Sequence, residues 1–465
     1  MKAYFFLLVL IFALRAGAIG AQPAVASGSD PREIPVPPIR TGLAPLPGVY
    51  ELPVRAGLPE VLTMNDGSRV TSTGQWLRRR EEMKRILEYY AVGRIPPPPG
   101  NVRGAERLSL APAGGKVKYR LVNLTFGPER KLNLHIGIFT PADRPGPFPA
   151  IIFHGGTPPG APLLPRLPQG PNQGKGQDVL LLVGPVPTAA APAVPGPDAA
   201  SEAEKTAARH AGVFRRGYAL VVFQPNDCAE DTTLRNLDGS WAFRNTRFLP
   251  AYPNYDWGIL AVWAWGVSRI ADYLETDAAI DAARLVVTGA SRNGKSSMIA
   301  AAFDERLTGA PVVTGGGGLG AYRFCGPRKS ETLDIMVRKY PNWFSPQLRR
   351  FSGQRDRLPF DQHWFLALCA PRPFLALEGM TDVISLPDAV RQSVAGAKPA
   401  YALCGAEERL GVNFAAHGHA FTEEDWTALL DFADKHLRGL AVPRTFDRFP
   451  TEAELDEALA RSPGK

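Results

Sequence analysis

Apolar positions in the first third of the chain follow two different periods. Trp76, Met83, Ile86, Leu87 and Tyr90 recur at helical spacing, and Thr71, Ser72 and Thr73 offer capping hydroxyls, so a helix is predicted over 71–90, stopped by the prolines at 96–99. Over 117–140 the period changes. Leu121, Leu124, Leu132, Leu134, Ile136 and Ile138 alternate with other residues, which argues for antiparallel strands at a sheet edge. Short continuous apolar runs follow at 149–153, 219–223, 285–289, 311–314 and 374–377, with 401–404 as the candidate last strand. Helical patterns separate them at 256–274, 292–303, 387–394 and 422–437; the last has Thr422 as its cap and Glu424 and Asp425 in its first turn. Buried strands alternating with helices predict an α/β protein, with a mostly parallel central sheet covered by helices on both faces. Chemistry is then sought at the carboxyl ends of the strands.

The ends of the chain read differently from its middle. Met1 and Lys2 precede an apolar run over 3–14 and then small residues, the layout of a secretory signal peptide over 1–21. Ala18, Ala21 and Ala26 all qualify as cleavage positions. The alternative, an uncleaved anchor, is disfavoured because the run falls short of the roughly 20 residues that span a bilayer. A secreted or periplasmic monomer, free of the membrane once the leader is cut, is expected. Residues 22–65 are rich in Pro and Gly and read as an N-terminal arm, 66–440 as one catalytic domain, and 441–465 as a tail. Within the domain, 157–200 reads as a surface insertion with one apolar island at 179–183.

Composition narrows the function classes. The formal charge of +8 is spread thinly, without a stripe of Lys and Arg interleaved with aromatics, so nucleic acid is not an expected partner. Cys228, Cys325, Cys369 and Cys404 lack metal-ligand spacing, so no metal site is expected. An oxidising compartment would permit disulfides, and the three full pairings of four cysteines stay open. Cys369 lies in an apolar run that suits a buried thiol.

The chemistry-bearing segment is Gly289-Ala290-Ser291-Arg292-Asn293-Gly294-Lys295, between a predicted strand and a predicted helix. A nucleophile elbow needs this context, because small residues must flank a serine held in a strained turn above a helix amino terminus. The second glycine comes one position later than in the usual G-x-S-x-G pattern. His154-Gly155-Gly156 follows an earlier strand and suits a loop whose N–H groups face a developing oxyanion. His417 and His419 precede the last predicted helix, and either satisfies the order Ser, acid, His. His363 comes too early and reads as structural. Asp382 is the candidate acid beyond the strand at 374–377, with Glu378 as runner-up.

Ser291-Arg292-Asn293-Gly294-Lys295, with Phe303-Asp304-Glu305-Arg306 behind it, resembles the glucuronoyl esterases of carbohydrate esterase family 15, of bacterial type. Gly217-Tyr218-Ala219, Asp256-Trp257-Gly258, Ala264-Trp265-Gly266, Leu358 to His363, Ala370-Pro371-Arg372-Pro373, and Gly418-His419 before Thr422 to Trp426 extend the likeness from about Leu58 to Leu437. The resemblance implies an α/β-hydrolase fold without cofactor, Ser291 as nucleophile and His419 as base. It also implies oxyanion donors from Arg292, and contacts from Lys295 to sugar hydroxyls. The implied substrate is a carbohydrate ester of glucuronoxylan type, linking glucuronic acid to lignin alcohols. Thr314 stands where many members carry their triad glutamate; some bacterial members place a carboxylate after the later strand, as Asp382 would be. Val383, Ile384 and Ser385 stand where a sugar-binding tryptophan often follows the acid, and Ala290 replaces a frequent cysteine. An acetyl xylan esterase or other carbohydrate esterase is therefore the alternative reading. A non-catalytic glycan-binding protein on the same scaffold is the second.

Overall fold

The computed structural model describes residues 46–168, 182–183, 198–236, 240–324, 331–385 and 387–461. The expected leader, the arm up to residue 45, most of the insertion and Cys325 lie outside the described residues.

Nine strands form one sheet: β1 (Arg103–Leu110), β2 (Val117–Phe126), β3 (Leu132–Pro141), β4 (Phe148–His154), β5 (Ala219–Phe223), β6 (Ile280–Ala290), β7 (Leu307–Val312), β8 (Phe374–Gly379) and β9 (Leu410–Ala415). Their spatial order is β1-β2-β3-β5-β4-β6-β7-β8-β9. The alternating segment gives β2 and β3, which pair antiparallel with each other and with β1 and β5, respectively; the continuous apolar runs give the parallel strands β5, β4, β6, β7 and β8, and β9, not read as a strand from the pattern, joins β8 in parallel. A parallel strand must be apolar on both sides because helices cover both faces. Ala150, Ile152, Ala219, Val221, Phe223, Leu285 and Val287 accordingly enter one core, and Ile151, Leu220, Val222 and Val286 the other.

The helices that cover the sheet are α1 (Thr73–Leu87), α2 (Ala199–Arg209), α3 (Ile259–Leu274), α4 (Arg292–Phe303), α5 (Leu333–Lys339), α6 (His363–Leu368), α7 (Pro387–Leu403) and α8 (Glu423–Arg438), with α9 (Glu452–Arg461) at the end. Met83 of α1, Trp263 of α3, Met298 of α4, Phe365 of α6 and Val394 of α7 pack into the first core, and Ala203 of α2 and Leu429 of α8 into the second. Ser72 caps α1 by accepting from Gln75 N, and Thr422 caps α8 through a reciprocal pair with Asp425.

Several elements depart from the pattern reading. Residues 401–404 are not a strand: Tyr401 ends the buried face of α7 that begins with Val390, Val394 and Ala397. Pro399 removes one hydrogen bond there without ending the helix, and the last strand is β9, whose Gly411 and Asn413 break up its apolar run. The strand sought at 311–314 is β7, ending at Val312. The tail carries α9, with Leu455 buried. The described part of the arm is not free of the body: Val49, Leu52 and Val61 are buried, Tyr90 donates to Pro47 O (2.7 Å) and Arg357 to Leu52 O (2.7 Å). His363 is structural, its Nε2 donating to Pro59 O at 2.8 Å.

At the start of α3, Gly93 and Gly258 mark where backbones meet too closely for any side chain. A Cβ at Gly93, where φ is +86°, would lie 2.3 Å from Trp257 Cα, and one at Gly258 would lie 2.3 Å from Trp343 O. Gly258 thus lets the start of α3 press on the loop bearing Asn342 and Trp343, whose carbonyls accept from Ile259 N (2.9 Å) and Leu260 N (3.4 Å). Gly258→Ala should lower stability by about 1–3 kcal/mol, because the clash is with backbone that cannot swing aside. The urea midpoint measures it, and an unchanged midpoint would contradict the tight contact.

Candidate active site

The turn from β6 into α4 places Ser291 at φ 58°, ψ −127°, a conformation that costs a non-glycine residue of order 1–3 kcal/mol. Neighbouring backbone holds it: Ser291 N donates to Val312 O on β7 (3.0 Å), and Ser291 O accepts from Lys295 N (2.9 Å). A Cβ at Gly289 would meet His154 Cβ at 2.8 Å; one at Gly294 would meet Gly289 O at 2.7 Å and Val312 O at 3.0 Å. The late second glycine therefore lies where the first turn of α4 touches the strand ends. The Ser291 hydroxyl makes no hydrogen bond among the described residues, and such contacts are often long before a substrate is bound.

The histidine and the acid come from the loops after β9 and β8. Met380 N donates to Ala415 O (2.9 Å) and Thr381 N to His417 O (3.1 Å), joining the two loops. His419 Nδ1 then lies 2.8 Å from Asp382 Oδ2, while Asp382 Oδ1 accepts from Ile384 N at 2.8 Å. The Asp382 carboxylate is fully buried, and the His419 ring is about one-third exposed. With Nδ1 engaged, Nε2 is the ring nitrogen left to exchange a proton. His417 is engaged elsewhere: Nδ1 donates to Gly418 O (2.8 Å), and Nε2 meets the buried Asp425 carboxylate at 3.1 Å. Asp425 is also the capping-box residue of α8, so His417 belongs to the helix start.

Glu378 is buried, and neither of its oxygens makes a well-aligned hydrogen bond, although the Ser385 side chain and the Thr314 backbone approach it and partly hold its carboxyl down. Burial, with the nearby Asp382 charge adding to it, pushes its carboxyl up to about 8. A carboxyl that is largely neutral at pH 7 is poorly suited to support an imidazolium. Thr314 is fully buried too, its Oγ1 accepting from Leu319 N at 2.7 Å to close the turn into the glycine run 315–318.

On the other side of Ser291, β4 ends in a loop where Gly155 has φ +104° and touches the start of α4: a Cβ there would lie 2.7 Å from Asn293 Nδ2. Gly156 packs on Val222. His154 is buried with both ring nitrogens unpartnered, and burial pulls its pKa down to about 3, so it is neutral. The Arg292 guanidinium pairs with the buried Asp231 carboxylate. Lys295 is not open to solvent: only 1% exposed, its Nζ donates to Thr314 O and lies 3.4 Å from Glu331 Oε2. Burial lowers its pKa, and Glu331, Glu378 and Asp382 oppose that shift. Asp231, Glu331, Asn342 and Trp343 were not singled out in the sequence, where isolated polar residues in irregular segments carry no spacing signal. Among the described residues, no group of side chains could hold a metal ion.

The sheet order and the strand–turn–helix at Ser291 are those of the α/β-hydrolase fold. Residues 186–405 match the family described as glucuronyl esterase, fungi. The carbohydrate esterase MZ0003 from an unknown prokaryotic organism is 27% identical over 406 residues, covering 82% of this chain and 90% of its own. The 4-O-methyl-glucuronoyl methylesterase of Hypocrea jecorina is 26% identical over 410 residues, covering 85% and 73%. A solved glucuronoyl esterase of carbohydrate esterase family 15 from Caldicellulosiruptor kristjansonii superposes with a TM-score of 0.63 at 27% identity, over 88% of this chain and 98% of that one. The chain is thus similar to glucuronoyl esterases over most of its length.

Asp382→Asn should cut kcat for ester hydrolysis by about 10²-fold or more, since the imidazole loses the group that fixes its tautomer. Glu378→Gln should cost far less. Steady-state kinetics on both variants separate the carboxyls; the reverse ranking would assign the acid to Glu378. A second expectation concerns pH. The hydrogen bond to Asp425 raises His417 above its ordinary value of 6.5. Protonated His417 therefore stabilises the fold fully below pH 6.5, and that contribution is lost as pH rises through the folded-state pKa. The fall in urea midpoint across this window should flatten in His417→Gln.

Proposed function

We propose that the chain is a secreted serine esterase that cleaves esters between 4-O-methyl-glucuronic acid of xylan and an alcohol, through an acyl-enzyme on Ser291. The observation that carries this reading is the 2.8 Å contact from His419 Nδ1 to the buried Asp382, in a fold whose β6–α4 turn holds Ser291 at positive φ. The relatives' names supply the substrate class. The leader-like residues 1–21 support secretion, and no helix among the described residues is long and apolar enough to cross a membrane.

In the reaction, Ser291 Oγ attacks the ester carbonyl carbon and its proton passes to His419 Nε2. Asp382 holds the tautomer that leaves Nε2 free to accept, and stabilises the imidazolium that forms. The carbonyl oxygen becomes an oxyanion, met by the Arg292 guanidinium and by backbone N–H groups of Arg292 and the Gly155–Gly156 loop. The carbon–oxygen bond to the alcohol breaks as His419 returns the proton to the departing oxygen. Water then attacks the acyl-enzyme and gives one proton to His419, which passes it to Ser291 Oγ as the intermediate collapses; the product leaves as glucuronic acid and loses its remaining carboxyl proton to solvent. The Lys295 ammonium, held by Thr314 O and Glu331, is the group assigned to contact a sugar hydroxyl.

A second reading, deacetylation of xylan, is favoured by one observation: Val383 stands where relatives often place a sugar-binding tryptophan, and it is 69% exposed. Alcohol release from a methyl or benzyl glucuronate ester, compared with acetate release from acetylated xylan, separates the two. Glucuronate ester turnover that disappears in Ser291→Ala is expected. Robust acetate release with no glucuronate ester turnover would overturn the substrate assignment. Failure of wild-type Ser291 to take a fluorophosphonate label would favour a non-catalytic glycan-binding role.

A further inference from the structure

The Asp231 carboxylate is only 1% exposed, yet it accepts three hydrogen bonds from one side of the active site. Oδ1 accepts from Asn342 Nδ2 and Trp343 Nε1, both at 2.9 Å, and Oδ2 accepts from Arg292 Nη1. The two oxygens have different partners: neutral groups fix the first, and the second meets a guanidinium that is 38% exposed. Asn342 and Trp343 are themselves anchored, since their carbonyls cap the start of α3 and Trp343 stacks on Tyr340 with ring centroids 3.8 Å apart. On the opposite side, Asp231 N donates to Asn226 Oδ1 (3.2 Å), and the adjacent Glu230 pairs with Arg166 and Arg247. The carboxylate is therefore held by rigid neighbours, while its guanidinium partner belongs to the residue directly after Ser291. An arginine side chain has about 2 kcal/mol of rotamer entropy to lose. A cation left to wander would have to be reoriented each time an oxyanion forms, whereas one already in place needs no reorganisation.

We propose that Asp231 is a positioning residue that holds the Arg292 guanidinium beside Ser291 for the oxyanion, as Asp382 holds His419. The proposal rests on the serine-esterase reading above. Its test is a double-mutant cycle of Asp231→Asn and Arg292→Ala, read by kcat and KM on a glucuronate ester and by the rate of fluorophosphonate labelling of Ser291. Asparagine keeps an oxygen for Asn342 and Trp343 and removes only the acceptor for the guanidinium. Asp231→Asn should lower kcat and labelling rate about 10-fold or more, less than the 10²–10³-fold typical of losing an oxyanion donor outright, with KM within about threefold. In the Arg292→Ala background it should add less than about twofold, because the residue it positions is gone. Trp343→Phe, which removes one anchor of Asp231, should shift kcat the same way by a smaller factor.

An equal loss in both backgrounds, or no loss in either, would overturn the proposal in favour of a structural role. A third readout does not depend on turnover: in ¹⁵N-arginine-labelled protein, a slowly exchanging Arg292 guanidinium signal should be present in the wild type and lost in Asp231→Asn. Its persistence in the variant would also overturn the proposal. Absence of ester turnover and of labelling in the wild type would instead reject the esterase reading, and the guanidinium signal would still decide whether Asp231 fixes Arg292.

Discussion

The backbone at Ser291 is bent into a conformation that an isolated serine avoids, and the surrounding structure is arranged to keep it there. The bend is held from β7, through Val312 O, and from the first turn of α4, through Lys295 N. It also needs empty space: any side chain at Gly289 or Gly294 would collide with His154 or with strand carbonyls. Because strain of order 1–3 kcal/mol is small beside the packing of a nine-stranded sheet, the fold can impose it. The same bend puts the amino terminus of α4 under the hydroxyl, and the Gly155 loop reaches Asn293 in that turn. The serine and the loop facing it are thus placed by one strand–turn–helix unit and its neighbours.

The rest of the candidate machinery hangs from the far strands of the sheet. β8 and β9 are parallel neighbours, so their following loops emerge side by side, and Gly379 lets them touch: a Cβ there would lie 2.4 Å from His417 O. That contact sets the distance from Asp382 to His419, while the Asp425 cap of α8 occupies His417. Parallel topology converts residues 37 positions apart in sequence into a hydrogen-bonded pair.

Charge in the site is handled in pairs. Asp382 faces His419, Asp231 faces Arg292, and Glu331 faces Lys295. Each pair joins a largely enclosed carboxylate to a group that can carry positive charge, and the carboxylate is held by other donors where its environment is driest. Glu378 has no such partner and is pushed towards neutrality instead. Two carboxyls at the end of one strand therefore differ through their surroundings and not through their chemistry.

The amino-acid sequence by itself determined the layers of the fold, because alternation in 117–140 and continuous apolar runs elsewhere demand an antiparallel edge and a doubly covered parallel sheet. It also marked Ser291, since small residues between a strand and a helix are a local requirement, and it limited the base and acid to a few histidines and carboxyls. It misplaced the last strand, because Pro399 looks like a helix stop locally while Tyr401 is drawn onto the buried face of α7. The preference for Asp382 over Glu378, and the separation of His417 from His419, rest on which side chain is enclosed and which donors surround it. The partnership of Asp231 with Arg292, Asn342 and Trp343 had no trace in the sequence, for Asp231, Asn342 and Trp343 lie in irregular segments up to 112 positions apart. Burial and long-range hydrogen bonding are properties of the assembled chain, and only the tertiary structure could decide them.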